Sequence, residues 1–231
     1  LEQADAWQTR LLAACEDSAP GKFHVNGIDH WPWFSDRGFS RKAAATTGSA
    51  SIVHAYIYFT NAMQIAGWNE PECSGLTGYL VELANAYADD LDRPVWVQET
   101  GASSLWMAPE HLPEFAKATI RSTFDCPNAC AITWWCSHDL NPTLRGFHPL
   151  EYDLGLLDNS NRVKPIGRAV SEAVEEIRSM PEPLPKTVTV EFEDREVVQP
   201  CEPEGWTVAR RYFEAVRQGH RPKLLLQESV D

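Results

Sequence analysis

The chain has 231 residues, of which 43% are hydrophobic and 23% charged, and its 20 Lys and Arg against 33 Asp and Glu give a formal net charge of −13. These proportions are ordinary for a folded protein, and the length allows one large domain or one and a half. The negative charge disfavours binding to nucleic acid and to anionic membrane surfaces, and no apolar run approaches the ~20 residues of a membrane-spanning helix.

The cysteines are too sparse for a disulfide-rich scaffold; they are Cys15, Cys73, Cys126, Cys130, Cys136 and Cys201. The spacing Cys126-x3-Cys130, followed by Cys136-x-His138, allows a metal-site interpretation. It lacks the CxxC spacing that is typical of structural zinc. We therefore expect buried, reduced thiols, no metal or other cofactor, and a cytoplasmic location.

The predicted elements alternate between helices and strands along the chain. The first 15 residues have the apolar spacing of an amphipathic helix. Strands are predicted at Lys22–Asp29, Ser51–Phe59, Pro94–Glu99 and Ala129–Cys136. Helices are predicted at Thr77–Leu91, Pro109–Phe124 and Val163–Met180, and a loop with a helical piece at Arg37–Gly48. This alternation predicts a parallel α/β fold, and the apolar run 129–136 predicts a strand buried on both faces.

A proline-rich linker at residues 181–185 follows the last of these helices. Beyond it, strands are predicted at Lys186–Phe192 and Leu224–Gln227, with a helix at Thr207–Arg217 between them. We therefore divide the chain into a main body, residues 1–180, and a linker with a small accessory α/β or β-rich segment, residues 181–231.

Functional side chains of parallel α/β proteins lie at the carboxyl ends of the strands. Four predicted strand ends carry polar and aromatic residues: Asp29, His30 and Trp31; His54 and Tyr56; Glu99; and Trp134, Trp135, His138 and Asp139. Glu99 is the most informative, because a carboxylate at the end of an apolar strand costs several kcal/mol unless it is paired or hydrogen-bonded. It is either a structural residue held by backbone amides or a functional one.

The neighbouring strand end supplies suitable partners for Glu99. The Tyr56 hydroxyl would donate to the carboxylate and keep it ionised, and His54 would donate to a substrate hydroxyl. Taken singly, each is as well explained as a core residue. Trp134 and Trp135 point to opposite faces of their strand, so one of them faces the site, and we expect it to be Trp134, with its indole stacked on a sugar ring.

Several segments resemble clan A glycoside hydrolases. Pro94–Gly101 resembles the seventh strand, in which a Glu ends the strand, and Ser51–Tyr56 resembles the sixth-strand His-x-Tyr. Residues 134–139, together with 151–156 and the Lys-Pro pair at 164–165, resemble the eighth strand and following loop of family 5, particularly its β-mannosidase-like members.

The resemblance covers roughly residues 20–180 and implies a (β/α)8 barrel. It makes Glu99 the nucleophile, Tyr56 its orienting partner and one Trp of the pair part of the −1 sugar subsite. His30 and His138 are then expected to contact the sugar.

The resemblance also implies that this chain is incomplete. The clan places its acid/base Glu in an Asn-Glu pair after the fourth strand, which we expect to lie before Leu1. The expected fold is therefore a partial (β/α)8 barrel, about strands five to eight. Trp68-Asn69-Glu70-Pro71 spells the same tetrapeptide but lies only 29 residues before Glu99. Its sequence makes Glu70 a candidate acid/base, whereas its position indicates a solvated turn.

The activity implied by the resemblance is retaining hydrolysis of a β-mannoside or β-glucoside. Two alternatives remain open: a non-catalytic carbohydrate-binding module, and an interaction protein that pairs exposed strand edges. Because half a barrel leaves its sheet edges open, we expect the isolated chain to self-associate through them and to show no turnover.

Overall fold

A parallel three-stranded sheet lies at the centre of the molecule. The computed structural model describes residues 1–90, 92–199 and 203–227, so Leu91 and Cys201 lie outside the described residues. The strands follow one another in the sheet and both pairs are parallel: β1 (Ser51–Ala55), β2 (Val95–Thr100) and β3 (Ala129–Trp134). The predicted α/β fold of a partial barrel, with a sheet that does not close, is confirmed.

Helices flank and connect the strands: α1 (Glu2–Ser18), α2 (Arg41–Thr46), α3 (Ala62–Ile65), α4 (Pro71–Ser74), α5 (Leu76–Tyr87), α6 (Leu112–Phe124) and α7 (Pro165–Ser179). The apolar faces of α5 and α6 pack on the sheet, where Leu80, Leu83 and Phe115 are fully buried. Within the described residues, no helix is both long and apolar enough to cross a membrane.

Two predicted strands differ from the structure. Residues 22–29 form an extended loop outside the sheet, and the backbone bond from Ser49 N to His24 O, 2.8 Å, links this loop to the start of β1. The strand predicted to reach Phe59 ends at Ala55. It ends there because the Tyr56 carbonyl accepts hydrogen bonds from Thr60 N and Thr60 Oγ1, at 3.1 and 2.8 Å, which close a turn.

The expectation that the strand at 129–136 is buried on both faces is wrong. Cys130 and Thr133 of β3 are exposed. In the described structure β3 is an edge strand with β2 as its neighbour. One face packs on α6, while on the other Trp96 Nε1 donates to Thr133 Oγ1 at 3.0 Å.

The C-terminal segment contains the predicted strand, helix and strand. Its elements are β4 (Val188–Phe192), α8 (Asp194–Val197), α9 (Thr207–Arg217) and β5 (Pro222–Leu226), with β4 and β5 paired in parallel. Tyr79 of α5 packs against Tyr212 and Phe213 of α9, with ring centroids 5.3 and 5.5 Å apart. Trp206 Nε1 donates to the Thr60 carbonyl at 2.7 Å. The segment therefore shares one hydrophobic core with the main body.

Candidate active site

A cavity of about 310 Å³ lies at the carboxyl ends of the three strands. Its lining residues come from five chain segments: Asp29, His30, Trp31, His54, Tyr56, Phe59, Glu99, Trp135, Glu151 and Leu154. Other hollows of about 410 to 580 Å³ lie among the helices and the C-terminal segment, away from Glu99. The strand-end cavity is the candidate site because ionisable and aromatic side chains converge there.

Glu99 and Tyr56 form the central pair of this cavity. Tyr56 Oη donates to Glu99 Oε2 at 3.0 Å, and the Glu99 side chain is 31% exposed. Burial raises the pKa of Tyr56, and the adjacent Glu99 carboxylate raises it further. The phenol therefore stays protonated and holds Glu99 Oε2 in place. Among the described residues, no side chain or backbone group donates a hydrogen bond to the other carboxylate oxygen, Oε1.

His54 lies beside Glu99 with its tautomer fixed by Gln98. Gln98 Nε2 donates to the Asn26 carbonyl at 3.2 Å, which leaves Gln98 Oε1 to accept from His54 Nε2 at 3.0 Å. The His54 proton is thus on Nε2 in the neutral ring. His54 Nδ1 lies 3.7 Å from Glu99 Oε2, beyond hydrogen-bond range. In the neutral ring this nitrogen carries no proton, so it can accept a hydrogen bond from a substrate hydroxyl but, contrary to the expectation from the sequence, does not donate one.

His30 presents an unused ring nitrogen. His30 Nδ1 lies 2.6 Å from Asp29 Oδ1, and this hydrogen bond holds the pKa of Asp29 below its usual range despite partial burial. Because the carboxylate only accepts, the proton is on Nδ1. His30 is only 4% exposed, and its Nε2 has no hydrogen-bond partner among the described residues. Buried polar atoms are normally paired, so a ligand hydroxyl is a suitable partner.

Glu151 is a cavity residue that sequence reasoning missed. It lies on a short 3-10 helix, Pro149–Asp153, which is anchored by buried Leu150 and by the bond from Ser104 N to Asp153 Oδ2 at 2.6 Å. No local periodicity marks a residue in this long loop. The signal that could have found it is its place in the family-like segment 151–156. Phe59 and Leu154 were also missed as cavity residues, whereas Trp31 had been named at its predicted strand end.

The expectation that Trp134 is the sugar platform is wrong, because Trp135 lines the cavity and Trp134 packs against the hydrophobic core. The strand ends at Trp134, so strict alternation does not extend to the next residue. Trp135 N donates to the Thr100 carbonyl at 2.7 Å. Gly101 permits this approach, since a Cβ there would lie 2.3 Å from the Trp135 carbonyl oxygen.

The structure does not bring His138 or Glu70 into the cavity. His138 is exposed, and its Nε2 lies 3.0 Å from Asn161 Oδ1. Glu70 directly precedes α4, and its carboxylate lies 3.6 Å from the Arg217 guanidinium on α9. The tetrapeptide match at Glu70 therefore does not supply an acid/base to Glu99.

Lys164 braces the loop that carries Glu151. Its Nζ donates to Asp139 Oδ1 at 2.8 Å and to Asp153 Oδ1 at 3.1 Å. Burial opposes its charge, but these two carboxylates raise the pKa of Lys164 above its usual value. Lys164, Asp139 and Asp153 therefore form an ion-pair network that holds the 3-10 helix carrying Glu151 in place.

The cysteine motif shows no metal-binding geometry. Cys126 is buried against the Gly78 carbonyl, and Cys136 Sγ donates to the His138 carbonyl at 3.0 Å. Across the part of the chain that the structure describes, no group of three or more His, Cys, Asp or Glu side chains could hold a metal ion.

Comparison with known proteins identifies the fold. No family model and no curated protein matches the chain. Among solved structures, a GH5_18 protein from Streptomyces cattleya, in complex with GlcNAc, matches with a TM-score of 0.89 and 38% identity over 97% of this chain and 55% of that chain. A variant of a GH5_18 protein from Bifidobacterium longum subsp. longum, in complex with Manβ1-4GlcNAc, matches with a TM-score of 0.88 and 32% identity over 98% of this chain and 54% of that one.

A more distant match agrees in fold. The exo-β-1,4-mannosidase Op5Man5 from Opitutaceae bacterium strain TAV5 gives a TM-score of 0.72 at 21% identity, over 97% of this chain and 42% of that chain. The chain spans about half the length of the GH5_18 proteins it matches. The chain therefore has the fold of part of a (β/α)8 barrel and is similar over nearly its whole length to GH5_18 proteins.

Proposed function

We propose that the full-length protein containing this chain is a retaining β-glycoside hydrolase with Glu99 as its nucleophile. The observation that carries the proposal is the hydrogen bond from Tyr56 Oη to Glu99 Oε2, 3.0 Å, inside a cavity that also holds His54 and Trp135. A carboxylate oriented by a neutral donor keeps its charge and its nucleophilicity. The activity is assigned to the full-length protein because the chain spans only about half of the matched enzymes.

The proposed reaction uses two carboxyl groups, one as the nucleophile and one as the acid/base. One oxygen of Glu99 attacks the anomeric carbon as the bond to the leaving oxygen breaks, and a second carboxylic acid protonates that oxygen. Water then attacks the glycosyl-enzyme, the second carboxylate accepts the water proton, and Glu99 is released. We propose that this second carboxyl group belongs to a part of the full-length protein outside this chain, because the chain spans about half of the GH5_18 proteins it matches. Glu151, the other glutamate of the cavity, is assigned here to binding a substrate hydroxyl.

The substrate proposed is a β-mannoside, with a β-glucoside as the second choice. Two matched GH5_18 proteins were crystallised with Manβ1-4GlcNAc. The exposed indole of Trp135 offers a flat apolar face for a sugar ring, and the free nitrogens of His30 and His54 offer partners for its hydroxyls.

Hydrolysis of 4-nitrophenyl β-D-mannoside and β-D-glucoside by the full-length protein tests the activity. Proton NMR of the first product distinguishes the mechanism, because a retaining enzyme releases the β-anomer. An α-anomer as first product would contradict the assignment of Glu99 as nucleophile. Sugar binding without hydrolysis, and with equal affinity in Glu99→Gln, would instead support a carbohydrate-binding module.

A further inference from the structure

We propose that Trp206 of the C-terminal segment is a positioning residue for the strand-end cavity, because it supports the two loops that carry Tyr56 and His30. This inference rests on the proposed function and gives the C-terminal segment a part in it. Trp206 is fully buried and does not line the cavity. Its effect on the reaction therefore passes through the residues that it contacts.

The first contact of Trp206 is with the turn that follows β1. Trp206 Nε1 donates to the Thr60 carbonyl at 2.7 Å. Thr60 donates to the Tyr56 carbonyl from both its amide and its hydroxyl, at 3.1 and 2.8 Å, and Tyr56 Oη donates to Glu99 Oε2 at 3.0 Å. Because Trp206, Thr60 and Tyr56 are all buried, water does not readily replace a bond that is lost between them. A continuous set of hydrogen-bonded residues thus connects the indole to the Glu99 carboxylate.

Trp206 also packs against the loop that carries His30. The Trp206 and Phe34 rings have centroids 5.6 Å apart, and Phe34 packs edge-on against the His30 ring at 6.3 Å. The two segments approach closely at Gly205, where a Cβ would lie 2.2 Å from the Phe34 carbonyl oxygen. Gly205 also has a φ of 82°, in the region that favours glycine. Backbone contact as well as ring packing therefore holds Trp206 against this loop.

A second contact from the C-terminal segment holds the same loop. Asp194 of α8 accepts hydrogen bonds from Arg41 Nε and Nη2, at 2.7 and 2.9 Å. Arg41 Nη1 donates to the carbonyl of Pro32 at 3.3 Å, and Pro32 lies in the short 3-10 helix Trp31–Trp33, directly after His30. The C-terminal segment is thus attached to both loops, and to the His30 loop at two points.

Other parts of the C-terminal segment attach away from the cavity loops and supply a matched control. Leu224 of β5 is as buried as Trp206, but it lines a hollow with Asn85 and Ala86, at the end of α5. None of the residues of the two cavity loops lines that hollow. A role for Trp206 in fastening the segment alone would therefore be shared by Leu224, whereas a positioning role would not.

The first test measures hydrolysis of an aryl β-mannoside by the full-length protein. Trp206→Phe keeps an aromatic ring against Phe34 and removes the donor to Thr60, so kcat should fall about tenfold while KM stays within about twofold, because the Tyr56–Glu99 pair is displaced in the reaction step. Leu224→Ala should lower the urea midpoint at least as much and leave kcat within about twofold of wild type. An unchanged kcat in Trp206→Phe, or equal losses of kcat in the two variants, would overturn the inference.

The second test shows whether Trp206 acts through Tyr56. Residues that act in series are not additive, so in the Tyr56→Phe background the further change Trp206→Phe should lower kcat less than about twofold. The same tenfold loss in both backgrounds would mean that the indole does not act by holding the phenol, and would overturn the inference.

Hydrogen exchange separates failure of this inference from failure of the proposed function. In Trp206→Phe the amides of residues 56–62, which include the Thr60 amide, should exchange at least about tenfold faster than in wild type, whereas Leu224→Ala should leave them unchanged. If the wild-type protein hydrolyses no aryl β-glycoside, the proposed function is wrong, and exchange alone then decides on the support of the loop by Trp206. Faster exchange confined to Trp206→Phe supports it, and unchanged exchange overturns it.

Discussion

Glu99 and Glu70 are both partly exposed glutamates, with 31% and 50% of their side chains accessible, but the regions around them differ in kind. Glu99 ends a buried strand, accepts from a phenol and faces a cavity. Glu70 directly precedes a short helix and lies beside Arg217, which also binds buried Glu72 at 2.5 Å. A neutral donor orients a carboxylate without compensating its charge, whereas an arginine does compensate it. The Glu99 region is therefore arranged for reaction, and the Glu70 region for attaching the C-terminal segment.

Replacing each glutamate with glutamine should give the largest difference in activity between the two regions. In the full-length protein, Glu99→Gln should lower kcat on an aryl β-mannoside at least about a thousandfold, because the nucleophile is lost. Glu70→Gln is the matched control and should stay within about twofold of wild type. Comparable losses in both variants would show that the two regions are not functionally distinct.

Removing the phenol of Tyr56 should have the next largest effect. Tyr56→Phe should lower kcat/KM about tenfold to a hundredfold, because Glu99 loses the donor that orients it. The pKa of Tyr56 is raised above its ordinary value of 10.0. A group with a raised pKa in the folded state keeps its contribution below its unfolded pKa and loses it only as the pH rises through the folded value.

The ratio of wild-type to Tyr56→Phe activity should therefore be constant from about pH 6 to pH 10, which a pH profile of kcat/KM measures. A ratio that collapses between pH 8 and pH 10 would indicate that the phenol ionises there and would contradict this account of the pair.

The variant Glu151→Gln tests whether Glu151 binds a substrate hydroxyl or transfers a proton. A hydroxyl-binding role predicts about a tenfold loss in kcat/KM with the shape of the pH profile unchanged. Loss of the alkaline limb, together with rescue of turnover by azide, would instead identify Glu151 as the acid/base. The experiment therefore separates binding from proton transfer at the other glutamate of the cavity.

On the Glu70 side, Arg217→Met should change stability and leave chemistry intact. Glu72 is only 4% exposed, so loss of its cation leaves a buried carboxylate unpaired, and the free energy of unfolding should fall by about 2 kcal/mol. Urea denaturation measures this change, with Arg178→Met as the control, because the ion pair between Arg178 and Glu175 of α7 is exposed. A stable variant with impaired hydrolysis would place Arg217 in the functional machinery.

The three strands of the central sheet and the functional residues at two of their ends could be predicted from the sequence because those features are local. Apolar composition marks β2, and Glu99, Tyr56 and His54 lie within a few residues of it or of β1. Alternation predicted that one Trp of the pair faces the site but did not determine which one. The choice of Trp134 was wrong: the strand ends at Trp134, and the next residue is positioned by the hydrogen bond from Trp135 N to the Thr100 carbonyl.

Features that depend on distant contacts were not predictable. Glu151 reaches the cavity because Lys164 and Ser104 hold its loop through Asp153, and no pattern near residue 151 encodes those partners. Likewise, the partner of Glu70 is on α9, about 150 residues along the chain. Its tetrapeptide could therefore suggest a catalytic residue, although the fold places it elsewhere.

Covalent trapping tests the central claim most directly. A 2-deoxy-2-fluoro β-mannosyl or β-glucosyl fluoride slows breakdown of the glycosyl-enzyme, so the full-length protein should accumulate one sugar per molecule. Peptide mass spectrometry should then find that sugar on Glu99, and Glu99→Gln should remain unlabelled. A label on a different carboxylate, or hydrolysis of ordinary substrates with no label at all, would contradict the assignment of Glu99 as nucleophile.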